Sequence, residues 1–215
     1  MKIQLTENDI RYIIKEVLDE LMMNEANLVL SEPKEGAEPV CMFVGRFQPF
    51  TNGHLACIQS VMHDKGIKTF ILPTHGNGKP EKPIMGDVQD KMLAKVREAH
   101  QDLIAGVEYG FGAKIDSNVE LIRKHGFEPV AWITGSDHEA AYRNMIMRYG
   151  KELKLNPDFD MIILGRDPED TGVAGVSATK VREAIVTGNE KEFNRMMPEE
   201  LHDMFNEFRD ILAGQ

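Results

Sequence analysis

The chain has 215 residues, of which 28% are charged, and its formal net charge at pH 7 is −10. This length suits one α/β domain with an appendage and is too short for two full domains with linkers. The acidic balance argues against sequence-independent binding to nucleic acid, which needs clustered Lys and Arg, and leaves room for local basic sites that take a small anion.

The first predicted element is an amphipathic helix. Thr6 and Asp9 form an N-cap pair, and apolar residues then recur at helical spacing at Ile10, Ile13, Ile14, Val17, Leu18 and Leu21. Residues 25–38 show no period and indicate a linker. We therefore divide the chain into an N-terminal helix with its linker, residues 1–38, and a main domain, residues 39–215. The apolar stripe either packs on the main domain or joins copies of the chain in a homo-oligomer, and both interpretations stay open.

From residue 40 onward, apolar runs that suit buried strands alternate with helical patterns. The predicted strands are residues 40–45, 67–73, 129–134 and 160–165. The predicted helices are residues 54–64, 86–104, 115–125, 137–150, 178–187, 190–196 and 198–212. Residues 106–112 fit a strand or a loop. The alternation predicts an α/β fold, a Rossmann-like open parallel sheet with crossover helices.

Three segments that can carry chemistry follow predicted strands. They are GRFQPFTNGH at residues 45–54, GSD at residues 135–137, and the stretch from residue 165 to residue 182. Ligands of open α/β sheets bind at the carboxyl ends of the strands. We therefore expect these three segments to meet along one edge of the sheet.

The first segment leads from a strand into the N-terminus of a helix. Gly45 and Gly53 let the backbone approach a ligand, Thr51 can cap the helix or donate its hydroxyl, and His54 lies in the first turn. A phosphate here would meet unpaired helix N–H groups, the positive end of the helix dipole and an imidazole. The simpler interpretation makes Thr51 a cap and His54 a half-buried helix residue. The preceding strand, Gly45 and the nearby cation Arg46 favour the phosphate site.

The third segment ends in a similar way. Ser177 can cap the following helix, and Thr179, Lys180 and Arg182 lie within about its first turn. Cations at this end oppose the helix dipole, so the arrangement is unfavourable unless an anion is bound. A triphosphate would resolve this conflict, with Lys180 as a point charge and Arg182 as a forked donor. Solvated surface charges are the alternative interpretation.

The second segment is short and has two interpretations. Asp137 either caps the helix that follows Gly135 or accepts hydrogen bonds from ribose hydroxyls, and the sequence favours neither. Two other nucleotide motifs are absent, since no P-loop sequence follows a strand and no G-x-G-x-x-G follows the first strand. The seven histidines have no H-E-x-x-H or C-x-x-C companion, so we expect no metal site formed by the protein alone.

The two cysteines and the hydropathy pattern predict a location. Cys41 lies in the first predicted strand and Cys57 on the apolar face of the next helix, which indicates buried thiols and no disulfide framework. No apolar stretch reaches the roughly 18 residues that span a bilayer, and the N-terminus lacks the charge order of a signal peptide. We therefore expect a cytoplasmic protein, in the host cytoplasm if the source is a virus, with no membrane partner.

Two of the segments resemble the signatures of one enzyme superfamily. GRFQPFTNGH resembles the H/T-x-G-H signature of the nucleotidylyltransferases, and VSATKVR resembles their I-S-S/G-T-x-x-R signature. The resemblance covers about residues 40–187. The form GRFQPF is most similar to nicotinamide mononucleotide adenylyltransferases, and Thr51 in place of a histidine is similar to phosphopantetheine adenylyltransferase. Residues 165–182 and 193–198 also resemble bacteriophage-encoded members.

The resemblance implies a reaction. A nucleoside monophosphate passes from a nucleoside triphosphate to a phosphate acceptor, pyrophosphate is released, and Mg²⁺ is held mainly by the nucleotide phosphates. AMP transfer from ATP to nicotinamide mononucleotide is the first expectation. Residues 82–89 keep the proline of the family's substrate segment but lose its arginine. Phosphopantetheine or another acceptor, CTP as donor, and a non-catalytic nucleotide-sensing module are therefore alternatives.

The resemblance also implies which residues act. His54 donates to the α-phosphate, Thr51 assists it, and Lys180 with Arg182 holds the departing phosphates. These four are the implied catalytic residues. The implied ATP-binding residues are Gly45, Arg46, Phe47, Gly53, Gly135, Asp137, Ser177 and Thr179.

Overall fold

One sheet of five strands forms the centre of the protein in a computed structural model, which describes residues 32–79, 82–136, 139–164 and 176–213. The apolar stripe predicted for the N-terminal helix lies outside these residues. The division of the chain into two parts therefore stays a prediction, as does the oligomer formed through this helix.

The strands are all parallel and lie in the order β3-β2-β1-β4-β5. Their bounds are β1 Glu38–Gly45, β2 Lys68–Pro73, β3 Ile104–Val107, β4 Phe127–Gly135 and β5 Asp160–Leu164. The predicted open parallel sheet is confirmed. The ambiguous stretch at residues 106–112 contains the end of the edge strand β3 and the loop that follows it.

Seven α-helices and one 3₁₀-helix are present within the described residues. The α-helices are α1 Asn52–Lys65, α2 Gly86–Ala99, α3 Ile115–Lys124, α4 Glu139–Tyr149, α5 Ala178–Val186, α6 Glu190–Met196 and α7 Phe205–Ala213. The 3₁₀-helix, Glu199–Met204, replaces the first half of the helix predicted at residues 198–212. Across these ranges, none of the helices has the length and apolar character required to cross a bilayer.

The helix predicted at residues 86–104 is too long by five residues. In the structure α2 ends at Ala99, a turn follows, and Ile104 pairs with Thr69 of β2. The apolar residues near position 104 fit the helical period, but the unpaired edge of β2 offers their backbone a hydrogen-bonded ladder. Long-range pairing therefore decides the boundary against the local pattern.

Alternate residues of β1 enter two cores, one on each face of the sheet. Cys41 and Phe43 pack against α1, α2 and the C-terminal helices, whereas Val40 and Met42 pack against α3 and α4. The four side chains are at most 4% exposed, which explains why β1 has no polar alternation. Because α1 and α5 share one face of the sheet, their N-terminal ends can lie near each other.

The chain reverses its direction of travel across the sheet at β1. It proceeds from β1 to β2 and β3 on one side, and then crosses to β4 and β5 on the other. Such a switch point leaves a crevice outside the carboxyl ends of the two central strands. Here these ends are Gly45 of β1 and Gly135 of β4. The crevice is therefore the expected place for a ligand.

Candidate active site

The loop after β1 is shaped by the ring of Phe47. Phe47 has a φ of 47°, which is the left-handed region, and its side chain is only 2% exposed. A Cβ on Gly45 would lie 2.9 Å from Cζ of this ring. Gly45 is thus needed for packing within the loop, in addition to any approach of a ligand. The ring of Phe47 belongs to the core, and only its backbone can face the crevice.

The imidazole of His54 is held by the residue that starts its helix. The backbone N–H of Thr51 donates to Nδ1 at 3.0 Å, and Oγ1 of Thr51 lies 3.0 Å from the same nitrogen. Because Nδ1 accepts from the backbone, the neutral imidazole carries its proton on Nε2. Thr51 is 1% exposed. Its hydroxyl therefore contacts His54 from the core side and helps to orient the imidazole.

Three phenylalanine rings surround the same imidazole. The centroid distances from His54 are 5.9 Å to Phe43, 5.0 Å to Phe47 and 5.3 Å to Phe50. His54 itself is half-buried. Packing on these rings fixes the plane of the imidazole, while the Thr51 contact fixes its tautomer and rotation. The ring is held in place before any ligand arrives.

The second corner of the site is the N-terminus of α5. Oγ of Ser177 accepts a hydrogen bond of 3.3 Å from the backbone N–H of Lys180, so the predicted cap is present. Thr179 and Lys180 are exposed, and Arg182 is half-buried. These residues therefore lie where a bound anion would meet the positive end of the helix dipole.

Arg182 joins the two corners. Its Nη1 donates to the backbone carbonyl of Gln48 at 2.6 Å, and its Nη2 lies 3.3 Å from Oγ1 of Thr179. Burial lowers the pKa of the Arg182 guanidinium, and the positive charge of Arg46 lowers it further. Among the residues that the structure describes, Arg46 and Arg182 have no carboxylate within 4 Å. The crevice is thus locally positive, although the protein as a whole is acidic.

Of the remaining predicted site residues, the structure describes Gly53 and Gly135 but not Asp137. Gly135 ends β4 and is half-buried, and Gly53 lies in the first turn of α1, where its carbonyl accepts from Sγ of Cys57 at 2.9 Å. Asp137 lies outside the described residues, as do residues 165–175. The predicted contact of Asp137 with a ribose therefore stays a prediction.

Both cysteines are free thiols. Cys41 is buried, and burial raises the pKa of its thiol above the usual range. Cys57 packs against the core but is only half-buried, so it is more exposed than the sequence predicts. Its hydrogen bond to Gly53 places it one turn beyond the first motif, at the rim of the core.

The sequence pattern missed two polar residues that hold the site together. Gln48 is 2% exposed, and its side-chain amide pairs with the backbone of Ile84. Nδ2 of Asn52 donates to the carbonyls of Arg195 and Met197, at 3.2 and 3.1 Å, and so ties α1 to the end of α6. The only sequence signal is a glutamine between apolar residues in the first motif, and it does not reveal a partner.

The donor set of the crevice suits an anion. Arg46, Lys180 and Arg182 are its charged groups, and no cluster of His, Cys, Asp or Glu that would bind a metal occurs among the described residues. Magnesium prefers carboxylate, phosphate and water oxygens. These residues therefore fit Mg²⁺ only through the phosphates of a nucleotide, and the magnesium expectation stays a prediction.

Comparison with known proteins identifies one sequence family and solved structures of similar fold. A sequence model of the family described as cytidylyltransferase-like matches residues 42–184. No curated protein matches the sequence. The match thus spans both corners of the crevice, from β1 into α5.

Two solved structures are similar to the chain in fold. Nicotinic acid mononucleotide adenylyltransferase of Plasmodium falciparum, complexed with NaAD, aligns with a TM-score of 0.54 at 11% identity over 82% of this chain and 95% of that one. A putative nicotinate-nucleotide adenylyltransferase from Vibrio parahaemolyticus aligns with a TM-score of 0.53 at 12% identity, over 79% and 99% of the two chains. At these identities the alignments establish the shared fold.

Proposed function

Since the chain belongs to the cytidylyltransferase-like family and is a nucleotidyltransferase-type enzyme, we propose that it transfers AMP from ATP to the phosphate of a small acceptor. The second product is pyrophosphate. We propose nicotinamide mononucleotide as the acceptor, which would make the chain an enzyme of NAD synthesis. The fold shared with nicotinic acid mononucleotide adenylyltransferases supports this choice.

One observation carries the proposal. Arg182, on the helix that the second signature begins, donates to the carbonyl of Gln48 inside the first signature, although the two residues are 134 positions apart. The imidazole of His54 and the cations of α5 therefore belong to one crevice. A triphosphate in it would bring its α-phosphate to one corner and its outer phosphates to the other.

The chemistry follows from this placement. An oxygen of the acceptor phosphate attacks the α-phosphorus in line, the bond from the α-phosphorus to the bridging oxygen breaks, and pyrophosphate leaves with the bonding electrons. The Nε2–H of His54 donates to an α-phosphate oxygen as negative charge develops there. Lys180 and Arg182 neutralise the departing pyrophosphate. Mg²⁺ bound to the nucleotide would supply further neutralisation of phosphate charge.

The test is pyrophosphate release from a panel of substrates. The full chain is incubated with Mg²⁺ and either ATP or CTP, together with nicotinamide mononucleotide, nicotinic acid mononucleotide or phosphopantetheine. We expect pyrophosphate with ATP and nicotinamide mononucleotide. Turnover of another pair would correct the substrate and keep the reaction. Tight ATP binding without pyrophosphate from any pair would overturn the proposal in favour of a nucleotide-sensing module.

A further inference from the structure

Gln48 is a buried polar residue in the middle of the first signature. Its Nε2 donates to the carbonyl of Ile84 at 2.8 Å, and its Oε1 accepts from the N–H of Ile84 at 2.7 Å. The side-chain amide thus forms the same pair of bonds that a neighbouring strand would form. With 2% exposure, these bonds have no water to replace them. They fasten the loop after β1 to the loop before α2.

The backbone of the same residue holds Arg182. The carbonyl of Gln48 accepts from Nη1 at 2.6 Å, a short distance that fits a charge-assisted bond. The position of this carbonyl depends on the loop, and the loop is fixed through the side chain of Gln48. Ile84, Gln48 and Arg182 therefore form a continuous chain of hydrogen bonds that ends at a cation of the crevice.

The loop that Gln48 fastens carries a second cation. Arg46 lies two residues before Gln48, and its positive charge adds to burial in lowering the pKa of the Arg182 guanidinium. Two like charges repel each other when no anion lies between them. The two bonds to Ile84 hold the loop, and with it Arg46, against this repulsion.

We propose that Gln48 is a positioning residue, which holds Arg46 and Arg182 at the spacing that a bound polyphosphate requires. This inference rests on the proposed function for the nature of the ligand. It assigns Gln48 no contact with the substrate. The residue acts through its backbone carbonyl on Arg182 and through the loop on Arg46.

The chain contains a matched control in Gln89. This residue is 0% exposed, and its amide also makes two bonds to backbone, from Nε2 to the Thr74 carbonyl at 2.9 Å and from the Gly76 N–H to Oε1 at 2.8 Å. It fastens the other end of the loop between β2 and α2. Among the described residues, however, its amide makes no hydrogen bond to Arg182 or Gln48, and its path to the first signature runs only through the Thr74 N–H, which donates to the Gly45 carbonyl at the end of β1. Because both amides are buried and each makes two hydrogen bonds to backbone, loss of either should lower the stability of the fold by a similar amount.

The experiment compares Gln48→Met with Gln89→Met in the full chain. Binding of inorganic tripolyphosphate is measured by calorimetry, and thermal unfolding is followed for each variant. We expect Gln48→Met to bind tripolyphosphate about 10-fold more weakly, which corresponds to the loss of one charge-assisted bond. Gln89→Met should stay within about twofold of the wild type at a similar loss of thermal stability.

A second variant covers the case in which Gln48→Met does not fold. Gln48→Asn keeps a neutral amide but shortens the side chain by one methylene, so that it cannot reach both backbone groups of Ile84, and it should also weaken tripolyphosphate binding. Equal weakening by the Gln48 and Gln89 variants would overturn the inference, because it would show a general effect of stability. Binding as tight as that of the wild type in a folded Gln48 variant would overturn it as well.

The result separates this inference from the proposed reaction. If no substrate pair gives pyrophosphate while Gln48→Met alone weakens tripolyphosphate binding, the reaction is wrong and the positioning role stands. If pyrophosphate is released and Gln48→Met binds tripolyphosphate normally, the reaction stands and the positioning role is wrong.

Discussion

At the scale of single residues, the site depends on side chains whose orientation is fixed before a ligand binds. His54 is held by the backbone N–H of Thr51 and by three phenylalanine rings. The contact with Thr51 spans only three positions, so the sequence contains it. The rings of Phe47 and Phe50 come from the same signature, whereas Phe43 comes from β1. The surroundings of this imidazole thus come almost entirely from one short stretch of chain.

Replacing His54 by alanine should lower turnover. A positioned donor to developing charge contributes about 2.7 to 4 kcal/mol, so His54→Ala should reduce kcat roughly 10²- to 10³-fold. Pyrophosphate release by the purified variant checks this, with unfolding curves to show that the fold persists. His63→Ala is the matched control, because His63 lies in the same helix with its side chain 88% exposed. Equal turnover of both variants would remove His54 from the mechanism.

Asp90 should make stability depend on pH in a defined direction. It accepts from the hydroxyl of Tyr109 at 2.6 Å, and burial raises the pKa of its carboxyl despite this bond. A carboxyl with a raised folded pKa favours the folded state at low pH, and that contribution is lost as pH rises through the unfolded and then the folded pKa. Asp90→Asn, which cannot ionise, should therefore gain thermal stability relative to the wild type between about pH 4 and pH 7.

The control for this prediction is Tyr109→Phe. The Tyr109 hydroxyl lowers the pKa of Asp90, so its removal should raise that pKa further and enlarge the loss of stability at neutral pH. Melting temperatures of the wild type and the two variants across this range provide the measurement. A difference between Asp90→Asn and the wild type that does not change with pH would contradict the assignment.

At the scale of elements, the N-termini of the helices on the crevice face differ in how they are capped. Ser177 and Asn189 cap α5 and α6, and each accepts from a backbone N–H three residues later, at 3.3 and 3.2 Å. At α1 Thr51 forms a capping box with His54, in which the Thr51 N–H also donates to the imidazole Nδ1. The same kind of residue thus caps all three helices, and at the first signature it also orients an imidazole.

The caps allow stability and ligand binding to be separated. Ser177→Ala and Asn189→Ala should each lower the free energy of unfolding by about 1 kcal/mol, because each leaves one N–H without its partner. Only Ser177→Ala should also weaken ATP binding, since Ser177 begins the helix that carries Lys180 and Arg182. Urea unfolding and calorimetry with ATP check the two effects. Equal ATP affinities of the two variants would place Ser177 outside the nucleotide site.

At the scale of the whole molecule, a buried ion pair stabilises the end of the sheet that lies away from the crevice. Arg123, at the end of α3, contacts Glu128 of β4 at 2.8 Å, and their side chains are 4% and 11% exposed. Arg123 also donates to the carbonyls of Leu153 and Lys154 beyond α4. This pair joins three segments at the amino end of β4, away from the crevice at its carboxyl end.

Breaking this pair should destabilise the fold without changing the chemistry. Arg123→Met leaves the carboxylate of Glu128 buried without its partner, which should lower the free energy of unfolding by about 3 to 5 kcal/mol. The double variant with Glu128→Leu should recover part of this loss. Denaturant unfolding measures both, and turnover per folded molecule should stay at the wild-type value. A single variant as stable as the double would show that burial of the charge is not the cause.

The sequence by itself determined four of the five strands, most of the helices, and the two helix N-termini of the crevice, because these depend on short-range patterns of polarity, caps and glycines. The boundary near Ile104 was wrong, since it depends on the free edge of β2. Only the tertiary structure decided the strand order, the pairing of Gln48 with Ile84 36 positions away, and the bond from Arg182 to Gln48. Such contacts join distant segments, and their partners are selected by the packing of the entire core, which no local stretch of sequence encodes.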